Sequence, residues 1–110
     1  LKWGNVGFKA IKFASCSNLT SINGGSTYGF TGIEDYSLSN CFRDCTSLTS
    51  IPSGLFDYCT GATTFATTFY GCTGLTSIPS GLFNNCTGVT SFVSTFFWLY
   101  IINRNNIWLI

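Results

Sequence analysis

The chain has 110 residues, only 8% of them charged, and a formal net charge of +1. That length builds one domain at most, and Lys2, Lys9, Lys12, Arg43 and Arg104, scattered among Glu34, Asp35, Asp44 and Asp57, form no basic patch to neutralise phosphates, which argues against nucleic acid as a partner. The chain contains no histidine, so a cysteine nucleophile lacks its usual base and a metal centre lacks its commonest ligand.

Residues 1–12 read as an N-terminal cap or flank carrying Leu1, Trp3 and Phe8. No positively charged start leads into an apolar run, and no apolar stretch reaches the about 20 residues that a bilayer requires. The chain therefore reads as a mature or excised piece without a transmembrane segment.

Residues 13–39 hold a degenerate repeat: Phe13, Cys16, Leu19 and Ile22 are spaced by three, and Phe30, Ile33 and Tyr36 keep the step without the cysteine. Glu34 and Asp35 are adjacent, which puts their side chains on opposite faces of an extended segment and suits a solvated turn better than an acid/base pair. Residues 40–96 are regular. The 27 residues of 46–72 match those of 73–99 at 17 of 27 positions, and each block contains two half-units. These are Phe42-Cys45-Leu48-Ile51, Phe56-Cys59-Ala62-Phe65, Phe69-Cys72-Leu75-Ile78 and Phe83-Cys86-Val89-Phe92.

A step of three alone does not follow the 3.6-residue turn of an amphipathic helix, and the intervening Thr-Ser, Thr-Gly and Pro-Ser-Gly are poor helix formers. We therefore expect short strands at 48–51, 62–65, 75–78 and 89–92, ended by Pro52 and Pro79, with single helical turns at 55–59 and 82–86. Stacking such units puts Phe on Phe, Cys on Cys and Leu on Leu. The expected fold class is a repeat solenoid, a leucine-rich-repeat-like right-handed coil of short parallel β-strands with about 27 residues per coil, filling residues 1–110 as a single domain. Residues 97–110 are the most apolar stretch and read as a C-terminal cap or docking segment.

The run Phe69-Tyr70-Gly71-Cys72-Thr73-Gly74-Leu75-Thr76-Ser77-Ile78-Pro79 resembles the F-x-G-C-x-x-L-x-x-I signature, followed by proline, of BspA-like leucine-rich repeats of bacterial and some protist surface proteins. The likeness covers residues 40–96 well and 13–36 loosely, with a longer coil than is usual there. It implies an extracellular or surface-displayed protein that mediates adhesion.

The six cysteines carry the most chemistry. Cys16, Cys45, Cys59, Cys72 and Cys86 hold the repeat's cysteine place, while Cys41 stands off that register. They read as small buried hydrophobes; the alternative is disulfides pairing Cys45 with Cys72 and Cys59 with Cys86 across adjacent coils, with Cys41 as the odd thiol. Cys41 and Cys45 form half of a zinc motif with no second half. No phosphate-binding glycine loop occurs and no cofactor is implied. Asn18-Leu19-Thr20 and Asn85-Cys86-Thr87 match the glycosylation pattern and are read as coincidence.

The function expected is therefore non-enzymatic: a surface or extracellular scaffold for adhesion or protein recognition, with a host, matrix or identical protein as partner. Tyr58 and Tyr70 are the candidate anchors, beside threonine rows containing Thr49, Thr63, Thr76 and Thr90. The alternative is an extracellular filament subunit that stacks end to end through apolar termini carrying Trp3, Phe8, Phe97, Trp98, Tyr100 and Trp108.

Overall fold

A computed structural model of the chain describes residues 12–22 and 38–102. Among these residues there is no strand and no sheet; one isolated parallel bridge joins Thr64 to Ser91, and one helix, α1, spans Phe97–Ile102. The expected solenoid of short parallel β-strands is therefore not what this sequence forms. The segments 48–51, 62–65, 75–78 and 89–92 are not strands, and 55–59 and 82–86 are turns rather than helical turns. The result is a compact globule with a radius of gyration of 12.9 Å.

The reason lies in the step of three. In a β-turn the fourth residue's N–H donates to the first residue's carbonyl, so residues three apart close a turn. Cys45 N–H donates to Phe42 O at 3.1 Å and Leu48 N–H to Cys45 O at 3.2 Å; Cys72 to Phe69 and Leu75 to Cys72 repeat the pair at 3.2 and 3.1 Å. Phe-x-x-Cys-x-x-Leu is thus two turns sharing their cysteine. The same holds for Phe13, Cys16 and Leu19, with bonds of 3.1 and 3.0 Å, and for Phe56, Cys59 and Ala62, with bonds of 3.0 and 3.1 Å.

Left-handed residues recur beside these turns and interrupt any extended run. Asn40, Thr67 and Ser94 have φ of 60°, 56° and 54°, and Asp44 and Gly71 have 59° and 71°. Each set is spaced by 27 residues, so the repeat is written in backbone handedness as well as in side chains. At Gly71 the strain is avoided by the missing Cβ, which would also collide with the Asp44 carboxylate. The residue 27 places later is Trp98, a poor choice for positive φ, and there the chain winds into α1 instead. Leu99, at the place of Cys45 and Cys72, is still buried.

Successive repeats bond to each other through alternate N–H groups. Leu38, Asn40, Phe42 and Asp44 donate to Thr64, Ala66, Thr68 and Tyr70 at 3.0, 3.0, 2.9 and 2.7 Å; Phe65, Thr67 and Phe69 donate to Ser91, Val93 and Thr95 at 3.0, 2.9 and 3.0 Å. Phe13 and Ser15 donate to Cys41 and Arg43 at 2.6 and 2.7 Å, so the first repeat joins in the same register.

Between the ladders lies an aromatic core. Phe13, Phe42, Phe69 and Phe96 stack as one column, with centroids 5.6, 5.4 and 5.3 Å apart. Phe56 stacks on Phe83 at 5.7 Å and Phe65 on Phe92 at 5.8 Å, and Phe65 sets its edge against Phe56 and Phe83 at 4.8 Å each. Offset and edge contacts suit the ring quadrupole, adding about 0.5–1.5 kcal/mol per pair beyond area burial.

Candidate functional site

Among the described residues two phenyl columns end at Phe92 and Phe96. Ile78, Phe83, Phe92, Thr95 and Phe96 line a cavity of about 330 Å³ there. One repeat earlier the equivalent residues Ile51, Phe56, Phe65, Thr68 and Phe69 are all buried, because the next repeat covers them. At this end Phe92 is 47% exposed and its neighbour Val93 67%. The repeat pattern places Phe92 inward with Phe65 and gives no sign of Val93; both stand in the last regular layer before the register breaks at Trp98.

Tyr58 lies in a turn with 51% of its surface exposed. Tyr70 does not. Its ring is half-buried between the Arg43 guanidinium, 5.0 Å from the ring centre, and the Phe97 ring at 5.3 Å. Residues 43, 70 and 97 are spaced by 27, so Tyr70 is a member of a column rather than a projecting contact.

The four threonines are exposed and fall into two rows. Thr49 donates through its N–H and its hydroxyl to Thr20 O at 3.4 and 3.5 Å, and Thr90 likewise to Thr63 O at 2.8 and 3.2 Å. Thr76 continues the row of Thr20 and Thr49. The hydroxyls of Thr49 and Thr90 are thus engaged in holding repeats together.

All six cysteines are free thiols, and the alternative pairing of Cys45 with Cys72 and Cys59 with Cys86 is not made; Cys16 is exposed and the other five are buried. The buried thiols close carbonyls instead. Cys72 Sγ donates to Phe42 O at 3.0 Å and Cys86 Sγ to Phe56 O at 3.5 Å, each 30 residues back, and Cys45 Sγ donates to Phe13 O at 3.0 Å. Thr68 Oγ1 meets Leu38 O at 2.8 Å and Thr95 Oγ1 meets Phe65 O at 2.7 Å, again 30 residues back.

Cys41, Thr68 and Thr95 are spaced by 27, so Cys41 is not an odd thiol off the register; it opens a second small-residue column, and the spacing held that signal. Burial raises these thiols: Cys59 and Cys72 are each pushed up to about 12 and Cys86 to about 11, with desolvation the leading cause in each, while Cys41 is pushed higher still and Cys45 is raised. A thiol held protonated is neither nucleophile nor metal ligand at neutral pH. No group of three or more acidic or cysteine side chains among the described residues is placed to hold a metal ion.

Of the terminal residues expected to self-associate, Phe97 is 41% exposed and Trp98 half-buried. Trp3, Phe8 and Trp108, and the side chain of Tyr100, lie outside the described residues. No helix among the described residues is long and apolar enough to cross a membrane. No protein-family model, curated protein or solved structure matches the chain.

Proposed function

We propose that the chain is a non-enzymatic recognition scaffold that holds a protein partner at a cell surface or outside the cell. One observation carries the reading: the closely packed stack leaves apolar side chains, Tyr58, Phe92, Val93 and Phe97, exposed at repeat-determined places on a nearly uncharged surface. Large side chains held this way lose little freedom on binding, which is what makes tyrosine and other aromatics efficient contacts. The likeness of residues 69–79 to a surface-protein repeat supports the location. The buried, protonated thiols among the described residues, in a chain without histidine, support the non-enzymatic reading.

The test is binding of the purified chain to immobilised extracellular-matrix proteins and to intact cells. Tyr58→Asn is the variant of choice, because Asn85 already occupies the equivalent place one repeat later. Loss of about tenfold or more in affinity with unchanged melting supports the reading, since buried contact tyrosines contribute at that scale. Binding that is absent in the parent chain, or indifferent to Tyr58, refutes it.

A further inference from the structure

We infer that the cavity lined by Ile78, Phe83, Phe92, Thr95 and Phe96 is a binding site for a small, uncharged aromatic molecule, held by stacking on the Phe92 and Phe96 rings. The inference goes beyond the recognition reading, which requires no free ligand.

The rings around the cavity repeat an arrangement that the chain builds once before. Phe83 sets its edge against Phe92 at 4.9 Å and against Phe96 at 6.0 Å. One repeat earlier Phe56 stands 4.8 Å from Phe65 and 6.2 Å from Phe69, again with steeply inclined planes. That earlier triad receives three rings in near-parallel contact: Phe83 on Phe56, Phe92 on Phe65 and Phe96 on Phe69, with interplanar angles of 10°, 6° and 9°. The molecule thus shows what this lining accepts, and it is a flat ring laid face to face. In the last layer the same platform is already assembled, and among the described residues no further ring stacks on Phe92 or Phe96.

The shape is that of a ligand site rather than a flat patch. Its volume of about 330 Å³ falls within the range usual for small-molecule pockets. Phe92 is exposed, whereas Thr95 and Phe96 are buried, so the lining runs from solvent into the core.

The lining also selects the chemistry. None of its five described side chains is charged, and its one hydroxyl, on Thr95, donates to Phe65 O at 2.7 Å. A charged ligand would lose its hydration there without finding a partner. An aliphatic ligand would bury a comparable area but forgo the ring contact that adds to area burial.

The test is titration of the isotope-labelled chain with p-cresol, followed by NMR, beside methylcyclohexanol, which keeps the outline without the π-system, and p-toluate, which adds a charge. The expected result is saturable shifts at Ile78, Phe83, Phe92, Thr95 and Phe96, upfield ring-current shifts of the p-cresol protons, and weakest binding for p-toluate. Affinity for p-cresol should exceed that for methylcyclohexanol by about two- to tenfold, the worth of one stacked ring pair. Phe92→Leu should abolish that preference; the shifts of the p-cresol protons on the parent chain require no variant. The absence of saturable shifts at millimolar p-cresol, equal affinity for the saturated probe, or shifts centred elsewhere would each overturn the inference. Binding of N-acetylphenylalanine amide in place of p-cresol also overturns it, in favour of an aromatic side chain on a partner. Tyr58→Asn should leave p-cresol binding unchanged, and failure of p-cresol in a chain that still binds matrix protein sinks this site while leaving the recognition scaffold standing.

Discussion

Thr68→Val is the sharpest probe of how the repeats are fastened. Thr68 is fully buried, and its hydroxyl shares one proton between Leu38 O at 2.8 Å and Phe65 O at 2.6 Å. Valine keeps the shape, so no cavity opens and the change isolates the hydrogen bond. The two carbonyls are not stranded by it. Leu38 O still accepts Cys41 N–H at 3.2 Å, and Phe65 O still accepts Thr68 N–H at 3.0 Å and Thr95 Oγ1 at 2.7 Å.

The cost is then the net worth of one bond, about 1 kcal/mol, rather than the about 1–3 kcal/mol of an orphaned buried group. Thr68→Cys should cost less, because Cys41 fills the same place one repeat earlier. Thr68→Ala should cost more, adding the loss of a buried methyl group and the void it leaves. Urea denaturation followed by far-UV circular dichroism measures all three, with the m-value as a check on two-state behaviour. The order Cys, Val, Ala with rising cost supports the geometry. A neutral Thr68→Val together with a costly Thr68→Cys would show that the hydroxyl does not fasten one repeat to the next.

Gly74→Ala and Gly88→Ala separate close approach from ordinary spacing: a Cβ on Gly74 would lie 2.7 Å from Leu48 O and 3.0 Å from Thr46 O, whereas one on Gly88 would lie 3.7 Å from Ala62 O. Because backbone does not yield, Gly74→Ala should lose about 1–3 kcal/mol, and Gly88→Ala should be neutral or gain up to about 1 kcal/mol from a less flexible unfolded chain, read by thermal melting. Iodoacetamide under native, reducing conditions should label Cys16 and spare Cys41, Cys45, Cys59, Cys72 and Cys86, with mass spectrometry as the readout; rapid labelling of Cys41 in the folded chain would refute its burial. The raised thiols also fix a pH limit. Between the ordinary value of 9.0 and the folded values of about 11 to 12, the folded chain retains protons the unfolded chain has released, so stability should hold below pH 9 and fall as pH rises through that window.

The inward columns were legible in the residues themselves: Phe42, Cys45 and Leu48 are fully buried, as their recurrence required. What the pattern did not disclose was the backbone that carries it. A spacing of three excludes a helix stripe, yet it does not match strands either, whose own period is two; chained turns are the conformation with that step. The left-handed residues that make the chain possible were hidden because Asn40, Thr67 and Ser94 are not glycines. Tyr70 misled for a related reason, since its companions Arg43 and Phe97 share no chemistry until they are laid 27 residues apart.

Trp98 gives the stack its punctuation. Asp44 and Gly71 take a left-handed turn and hand the chain on, whereas Trp98 at the corresponding place lies within α1. The exchange of turn for helix coincides with this one change of side chain, while the phenyl column beside it runs on from Phe69 to Phe96.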